Sequence, residues 1–177
     1  MTRELALLII VAVALLLVGS GVWAWRRRSR RDAGLTAPVG EIPADAIEIA
    51  AASGFYVATT RHDEPLERLA IRGLGFRSRA DVTVTTAGVA LDLPGQPRLF
   101  LPVDRIVSVD RATVAIDRVV ERDGLVRIAW RGAAADGADT AVDSYLRPQD
   151  VSARTLADAV TGILPAQTST TPTGTDA

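Results

Sequence analysis

The chain begins with a long apolar segment and continues with short stretches in which apolar and polar residues alternate. Residues 5–25 carry no charged side chain, and twelve of these 21 residues are Leu, Ile or Val. At about 1.5 Å per residue, a helix of this length spans roughly 30 Å, the thickness of the hydrocarbon core of a bilayer. Trp23 and Trp25 lie where interfacial aromatic residues are found. The pattern predicts a transmembrane anchor over residues 1–25.

Five arginines follow the apolar segment, against a single arginine before it. They are Arg26, Arg27, Arg28, Arg30 and Arg31. Because basic residues beside a membrane stay in the cytoplasm, this asymmetry predicts a single-pass protein of the cell membrane, with its N-terminus outside and its C-terminal domain in the cytoplasm. The same arginines are expected to contact anionic lipid head groups. A cleaved signal peptide is the alternative, but its apolar region is shorter, about 7–15 residues.

In the middle of the chain, apolar and polar residues alternate with the two-residue period of half-buried β-strands. The predicted strands are residues 54–61, 81–86, 89–93, 99–101, 105–110, 114–121, 125–131 and 140–147. Asp123 and Gly124 favour a tight two-residue turn, so the segments 114–121 and 125–131 are predicted to pair as a hairpin.

A helical period replaces this alternation after Pro148. Apolar residues at positions 151, 156, 160, 163 and 164 fall near one face of a helix over residues 149–164, and Asp150 or Ser152 is placed to cap its start. Such a helix can close the open end of a small, bent sheet. The order of elements predicts a mainly β fold, a PH-like small bent β-barrel or sandwich of about seven strands, capped by a C-terminal α-helix.

Shifts in composition divide the rest of the chain. Residues 26–44 combine the arginines with a linker rich in Gly, Pro and small residues. Residues 45–165 form the predicted PH-like domain, whose length is enough for one core. Residues 166–177 are rich in Thr, Pro and Gly and are predicted to be disordered.

Three stretches of this domain resemble a known family. They are FYVATTRHDEPLERLAIRGLGFRSRADVTVTTAGVAL, LFLPVD and RVVERDGLVRIAW. Together with the anchor, they are similar to actinobacterial single-span membrane proteins with a PH-like domain, which are often labelled transporters or export proteins. The resemblance covers the anchor and residues 54–147, and it implies a PH-like fold and a membrane location but no residue-level function. Because one helix cannot enclose a transport path, the transporter label has no physical support here.

The composition excludes several kinds of site. The chain has no Cys, Lys or Asn, all 20 basic residues are Arg, and His62 is its one histidine. Disulfides, thiolate zinc sites, cysteine nucleophiles, Schiff-base lysines and three-histidine metal sites are therefore impossible. Because the sequence carries no recognisable nucleophile, metal or cofactor constellation, we expect a protein that is not an enzyme. We assign no catalytic residue, no cofactor and no metal site.

One connection between predicted strands is basic. Residues 61–79 hold five arginines and one histidine against three acidic residues, a formal balance of +2. In the lipid-binding PH domains that the fold resembles, this connection often supplies basic residues. The candidate ligand residues are Arg61, His62, Arg72, Arg77 and Arg79. Residues 45–165 as a whole carry 14 Arg and 17 acidic residues, and this net charge of −3 does not favour an anionic surface.

We therefore expect a membrane-anchored interaction or scaffolding module that holds unknown protein partners at the cytoplasmic face of the membrane. The alternatives are binding of a lipid head group or small ligand through residues 61–79, and an accessory subunit of a transport complex. Nucleic acid is not an expected partner, because no aromatic residues or second basic patch extend the arginine cluster.

Overall fold

A computed structural model describes residues 3–32, 35–69, 71, 73–115, 118–119, 124–133 and 139–165. Its first element, α1, spans Arg3–Asp32 and extends beyond the predicted anchor through the arginine cluster. Within α1, Leu7–Ala24 is long and apolar enough to cross a membrane by length and composition, and none of it is buried as a core helix would be. The guanidinium of Arg27 lies 5.5 Å from the ring centroid of Trp23. The side chains of Trp25, Arg28, Arg30 and Arg31 lie outside the described residues.

Ten strands and a second helix are described after α1. The strands are β1 (Glu48–Arg61), β2 (Glu64–Arg68), β3 (Ser78–Thr85), β4 (Gly88–Asp92), β5 (Leu99–Pro102), β6 (Ile106–Ala112), β7 (Val114–Ala115), β8 (Arg118–Val119), β9 (Leu125–Ala133) and β10 (Asp139–Pro148). A 3-10 turn, Val103–Arg105, lies between β5 and β6, and the second helix, α2, spans Ala153–Ile163.

Eight strands form one antiparallel sheet that curves around α2. Their order is β5-β4-β3-β1-β10-β9-β6, and β2 pairs with β1 outside this path. Because α2 contacts strands from β4 to β6, near the two ends of that order, the sheet cannot be flat. The mainly β fold with an apolar N-terminal helix and a C-terminal helix is therefore confirmed, with eight strands in the sheet where about seven were expected.

The helix α2 begins later than predicted because the residues before it are held by β1. The amide of Gln149 donates to the carbonyl oxygen of Ser53 at 2.9 Å. Both carboxylate oxygens of Asp150 accept from the Ser53 amide, at 3.0 and 2.9 Å. Ser152 therefore provides the cap, since its Oγ accepts from the amide of Thr155 at 3.0 Å.

A chain of polar side chains crosses the core between strands. The indole Nε1 of Trp130 donates to Ser144 Oγ at 2.9 Å, and that oxygen lies 2.7 Å from Thr59 Oγ1. The hydroxyl of Tyr56 lies 2.9 Å from Thr59 Oγ1 and donates to the carbonyl oxygen of Leu74 at 2.8 Å. Burial raises the pKa of Tyr56, so its hydroxyl stays protonated as a donor. The buried polar groups are thus satisfied by one another.

The predicted hairpin of residues 114–121 with residues 125–131 is wrong. β9 pairs with β6, and the register places Ala112 opposite Leu125 and Asp110 opposite Arg127. β7 and β8 instead pair with each other in a separate two-stranded ribbon. The longer β6 offers β9 a more extensive ladder than the short β7 does. Asp123, which suggested the turn, lies outside the described residues.

Residues 35–40, here called the strap, lie against the domain. The amide of Thr36 donates to the carbonyl oxygen of Ala133 at 3.4 Å, and the amide of Phe100 donates to that of Pro38 at 2.7 Å. The strap also forms a bridge between Val39 and Leu99 of β5. The division of the chain at residue 45 stays a prediction, while the strap shows that part of the predicted linker contacts the sheet. The predicted tail, residues 166–177, lies outside the described residues.

Replacing Leu156 tests whether α2 is part of the core. Leu156 is 1 % exposed, and its neighbour on the same stripe, Val160, is fully buried, as the sequence predicted, whereas Ile163 is only half-buried. Leu156→Ala should cost about 2–5 kcal/mol of unfolding free energy because it leaves a cavity. Arg154, which is exposed on the opposite face, serves as control, and Arg154→Ala should change stability little. Equal thermal unfolding of both variants and the parent would contradict a core role for α2.

Candidate functional site

The basic connection predicted between strands folds back on itself immediately after β1. Arg61 and Glu64 pair across a two-residue turn made by His62 and Asp63. Asp63 has a φ of 60°, a left-handed conformation that Asp tolerates better than most residues. This turn places the one imidazole of the chain beside β10.

A buried carboxylate on β10 receives the turn. Asp143 is fully buried, and its Oδ1 lies 2.7 Å from Nδ1 of His62. Its Oδ2 accepts a hydrogen bond from the amide of Asp63 at 3.2 Å. Because a carboxylate buried without partners is costly, these contacts and a nearby positive charge are required for its burial.

Arg127 of β9 supplies the positive charge. Its Nη1 lies 3.5 Å from Asp143 Oδ2 and 3.3 Å from Asp63 Oδ1. Its Nη2 donates to Asp110 Oδ2 at 2.9 Å. The register explains this arrangement, since Asp110 is directly opposite Arg127 and Tyr145 of β10 lies on its other side. His62, Asp63, Asp110, Arg127 and Asp143 are hereafter called the Asp143 cluster.

The cluster shifts the proton affinity of its members. The pKa of His62 is raised, first by the hydrogen bond to Asp143 and then by the charges of Asp143 and Asp63, against opposition from burial and Arg127. The hydrogen bond to Asp110 is the largest cause of the raised pKa of Arg127. Burial raises the pKa of Tyr145 beside them. The site therefore favours a positive imidazole and a permanent guanidinium around a buried negative charge.

The donor atoms of His62, Asp63 and Asp143 lie within 4.8 Å of one another, which is close enough to surround a metal ion. The guanidinium of Arg127 already contacts both carboxylates and would repel a cation placed between them. Nε2 of His62 lies 3.5 Å from Asp63 Oδ2. The geometry fits an ion-pair network better than a metal centre.

The other candidate ligand residues do not share one site with His62. The guanidinium of Arg61 lies 3.9 Å from the carboxylate of Glu67. Arg77 stacks over the ring of Phe55 at 4.6 Å. Arg79 lines a shallow groove elsewhere, and Arg72 lies outside the described residues. Arg77 and Arg79 both lie near Phe55 of β1, away from the His62 turn, so the described candidate residues do not converge on one site with His62.

The groove at Arg79 has a volume of about 350 Å³ and mixed charge. Its charged lining residues are Arg79, Asp81, Asp92 and Asp150. Asp81 accepts from Ser53 Oγ at 2.7 Å, Asp92 binds Arg98, and Asp150 accepts from the Ser53 amide. All three carboxylates that line the groove are therefore already engaged by other groups of the domain.

Sequence reasoning missed Asp143, Arg127 and Asp110 as members of a site. They lie on three strands, and only the register brings them together. One signal was present, because Asp143 interrupts the otherwise uncharged run from 140 to 146 in a predicted strand. A charge at such a position needs a partner. Two exposed apolar side chains in the basic connection, Leu66 and Phe76, were also missed, at 68 % and 87 % exposure.

Removing Arg127 should destabilise the domain. Arg127→Met keeps much of the side-chain length but leaves the buried carboxylate of Asp143 without its guanidinium. Loss of charge-assisted hydrogen bonds should cost about 1.5–3 kcal/mol of unfolding free energy. Arg131, which lies on the same strand and is exposed, provides the control Arg131→Met. Denaturant unfolding of the two variants measures the difference, and equal midpoints would contradict the assigned role.

Comparison with known proteins agrees with this architecture. No curated protein matches the chain. Residues 36–161 match the family described as Bacterial PH domain-like, and this range begins inside the strap and ends within α2. The match covers well over half of the sequence, and the eight-stranded antiparallel sheet with its C-terminal helix fits a PH-like fold. The chain belongs to the bacterial PH domain-like family.

Proposed function

We propose that this protein is a membrane-anchored interaction module whose PH-like domain holds a protein partner at the cytoplasmic face of the cell membrane. The family assignment supports an interaction module for proteins or lipids. The uncharged stretch Leu7–Ala24 and the arginines that follow it support an anchor with the domain inside. The domain acts by binding and not by catalysis.

The exposed apolar side chains in the connection between β1 and β3 are the reason for proposing a protein partner and not a lipid. Leu66 on β2 and Phe76 before β3 are exposed, whereas His62 and Arg77 in the same connection are engaged by Asp143 and Phe55. Apolar and aromatic side chains anchor protein interfaces, and an anionic head group would instead need converging basic groups. An accessory role in a transport complex would be one case of such a partner.

Lipid binding is the second candidate, because Phe76 and Arg77 are adjacent and exposed. An aromatic residue beside a basic one suits the interface of an anionic bilayer. If lipid is the ligand, amide signals of residues 61–79 in lipid nanodiscs should shift when anionic lipid replaces neutral lipid. Unchanged signals would leave the protein-partner proposal in place.

The orientation of the anchor is open to a direct measurement. A C-terminal reporter enzyme that is active only after export should be silent, and a reporter active only in the cytoplasm should work, because the five arginines after the span stay inside. Strong activity of the exported reporter would overturn the topology and the proposed location together.

The docking surface is tested by copurification from gently solubilised membranes. Replacing Leu66 and Phe76 by Ser should reduce recovery of a partner by about tenfold or more, since loss of apolar anchors costs interface energy. Replacing Val39 and Ile47 by Ser is the matched control, because these side chains are 63 % and 69 % exposed elsewhere on the domain. Equal losses in both variants would contradict a docking surface at the first pair.

A further inference from the structure

The turn between β1 and β2 is fastened to β10 by side chains. The ladder between β1 and β10 ends with Arg61 opposite Val142. Beyond it, the amide of His62 reaches the carbonyl oxygen of Ala141 at a long 3.4 Å. The shorter contacts all go to Asp143, from Nδ1 of His62 at 2.7 Å and from the amide of Asp63 at 3.2 Å. One buried carboxylate therefore holds both residues of the turn.

The charged and titratable groups around the imidazole come from four elements. The turn contributes Asp63, with Oδ2 at 3.5 Å from His62 Nε2, and β10 contributes Asp143 and Tyr145. β9 contributes Arg127, whose guanidinium opposes a positive imidazole, and β6 contributes Asp110, which holds Arg127 by its Nη2. The carboxylates outnumber the guanidinium, and the nearest of them, Asp143, places its Oδ1 2.7 Å from Nδ1 of His62.

We infer that His62 and Asp143 form a proton-dependent clamp, which fastens the β1–β2 turn when the imidazole is protonated and loosens it when the imidazole is neutral. A protonated imidazole makes a charge-assisted hydrogen bond to Asp143, and a neutral one makes at most an ordinary hydrogen bond. The turn leads directly into β2 and the connection that carries Leu66 and Phe76. Control of partner docking by this clamp rests on the proposed function, whereas the clamp itself does not.

The direction of the pH dependence follows from the raised pKa of His62. A group whose folded-state pKa lies above its unfolded value stabilises the fold fully below the unfolded value, near 6.5 for histidine. That stabilisation is lost as the pH rises through the folded-state pKa. The clamp should therefore be closed in mildly acidic solution and should open as the solution becomes more basic.

The composition makes this titration unusually easy to assign. The chain has one histidine and no cysteine, so His62 is the one side chain whose ordinary pKa lies between pH 5 and 8. Specific ¹³C labelling of histidine in the full-length protein, held in detergent micelles, gives a single imidazole signal. The midpoint of its shift with pH should lie above about 6.5, the ordinary value for histidine.

Two variants identify the cause of the raised midpoint. Asp143→Asn removes the negative charge and should lower the midpoint, while Asp158→Asn, an exposed carboxylate on α2, should leave it unchanged. A midpoint at or below the ordinary value in the parent, or equal midpoints in both variants, would overturn the clamp. If Asp143→Asn does not fold, the clamp is tested by the titration midpoint of His62 in the parent protein and by the hydrogen-exchange experiment on His62→Gln.

Hydrogen exchange of the Asp63 amide reports the clamp locally, because this amide donates to Asp143. In the parent, its exchange rate corrected for intrinsic chemistry should rise with pH through the imidazole midpoint. His62→Gln should remove that extra rise, and the same pH profile in both proteins would overturn the proposal. Partner recovery at pH 6 and pH 8 is measured separately. If hydrogen exchange confirms the clamp but partner recovery is the same at pH 6 and pH 8, the clamp stands and its control of docking is ruled out.

Discussion

The apolar inner face of the sheet has to be covered, and the rest of the structure depends on the cover that α2 provides. Strands lie about 4.8 Å apart, so β4 and β6, five places apart in the order, would be separated by roughly 24 Å in a flat sheet. A helix is only about 10 Å wide. Because α2 contacts both strands, the sheet has to curl around Leu156 and Val160. The curvature, and with it the closed core, follows from one apolar stripe.

The pairing of β1 with β10 supports both the core and the Asp143 cluster. Thr59 and Ser144 face the inside, where they connect Tyr56 to Trp130 through hydroxyl groups. The next residue of β1 is opposite Asp143, which faces the other side and receives the turn. Since successive side chains of a strand point to opposite faces, two neighbouring positions serve two different environments. The Asp143 cluster and the buried hydroxyl network therefore lie on opposite faces of the same two strands.

Local patterns predicted the elements whose burial is set by their own sequence. The stripe at positions 156 and 160 and the uncharged run before Arg26 are of this kind. β2 was missed because Glu64–Arg68 contains a proline and three charged residues, and its strand conformation comes from pairing with β1. The partner of β9 was predicted wrongly because a turn signal between neighbours in sequence carries no information about the more distant β6.

Local sequence patterns could not predict the Asp143 cluster either, because they carry no information about which distant strands pair. Its members at positions 62, 63, 110, 127 and 143 become neighbours only through the registers of three strand pairs. A single sequence shows a charge in an apolar strand, which signals that a partner exists, but it does not say which of 20 arginines is that partner. Candidate basic residues chosen by closeness in sequence were accordingly dispersed, with Arg77 on Phe55 and Arg61 near Glu67.

The short connection between α1 and the strap limits how far the domain can lie from the end of the apolar helix. Only residues 25–34 separate Ala24 from the strap, and α1 continues to Asp32. Residues 25–32 of α1 rise about 12 Å, and two further residues of any conformation add at most about 7 Å, so the connection reaches at most roughly 20 Å. The amide of Thr36 donates to the carbonyl oxygen of Ala133, which is paired with Asp139 at the start of β10. The amide of His62 contacts Ala141, two residues further along β10. The connection therefore enters the domain close to the His62 turn. If α1 spans a bilayer as proposed, this short connection keeps the His62 turn near the membrane surface, which a long flexible tether would not ensure.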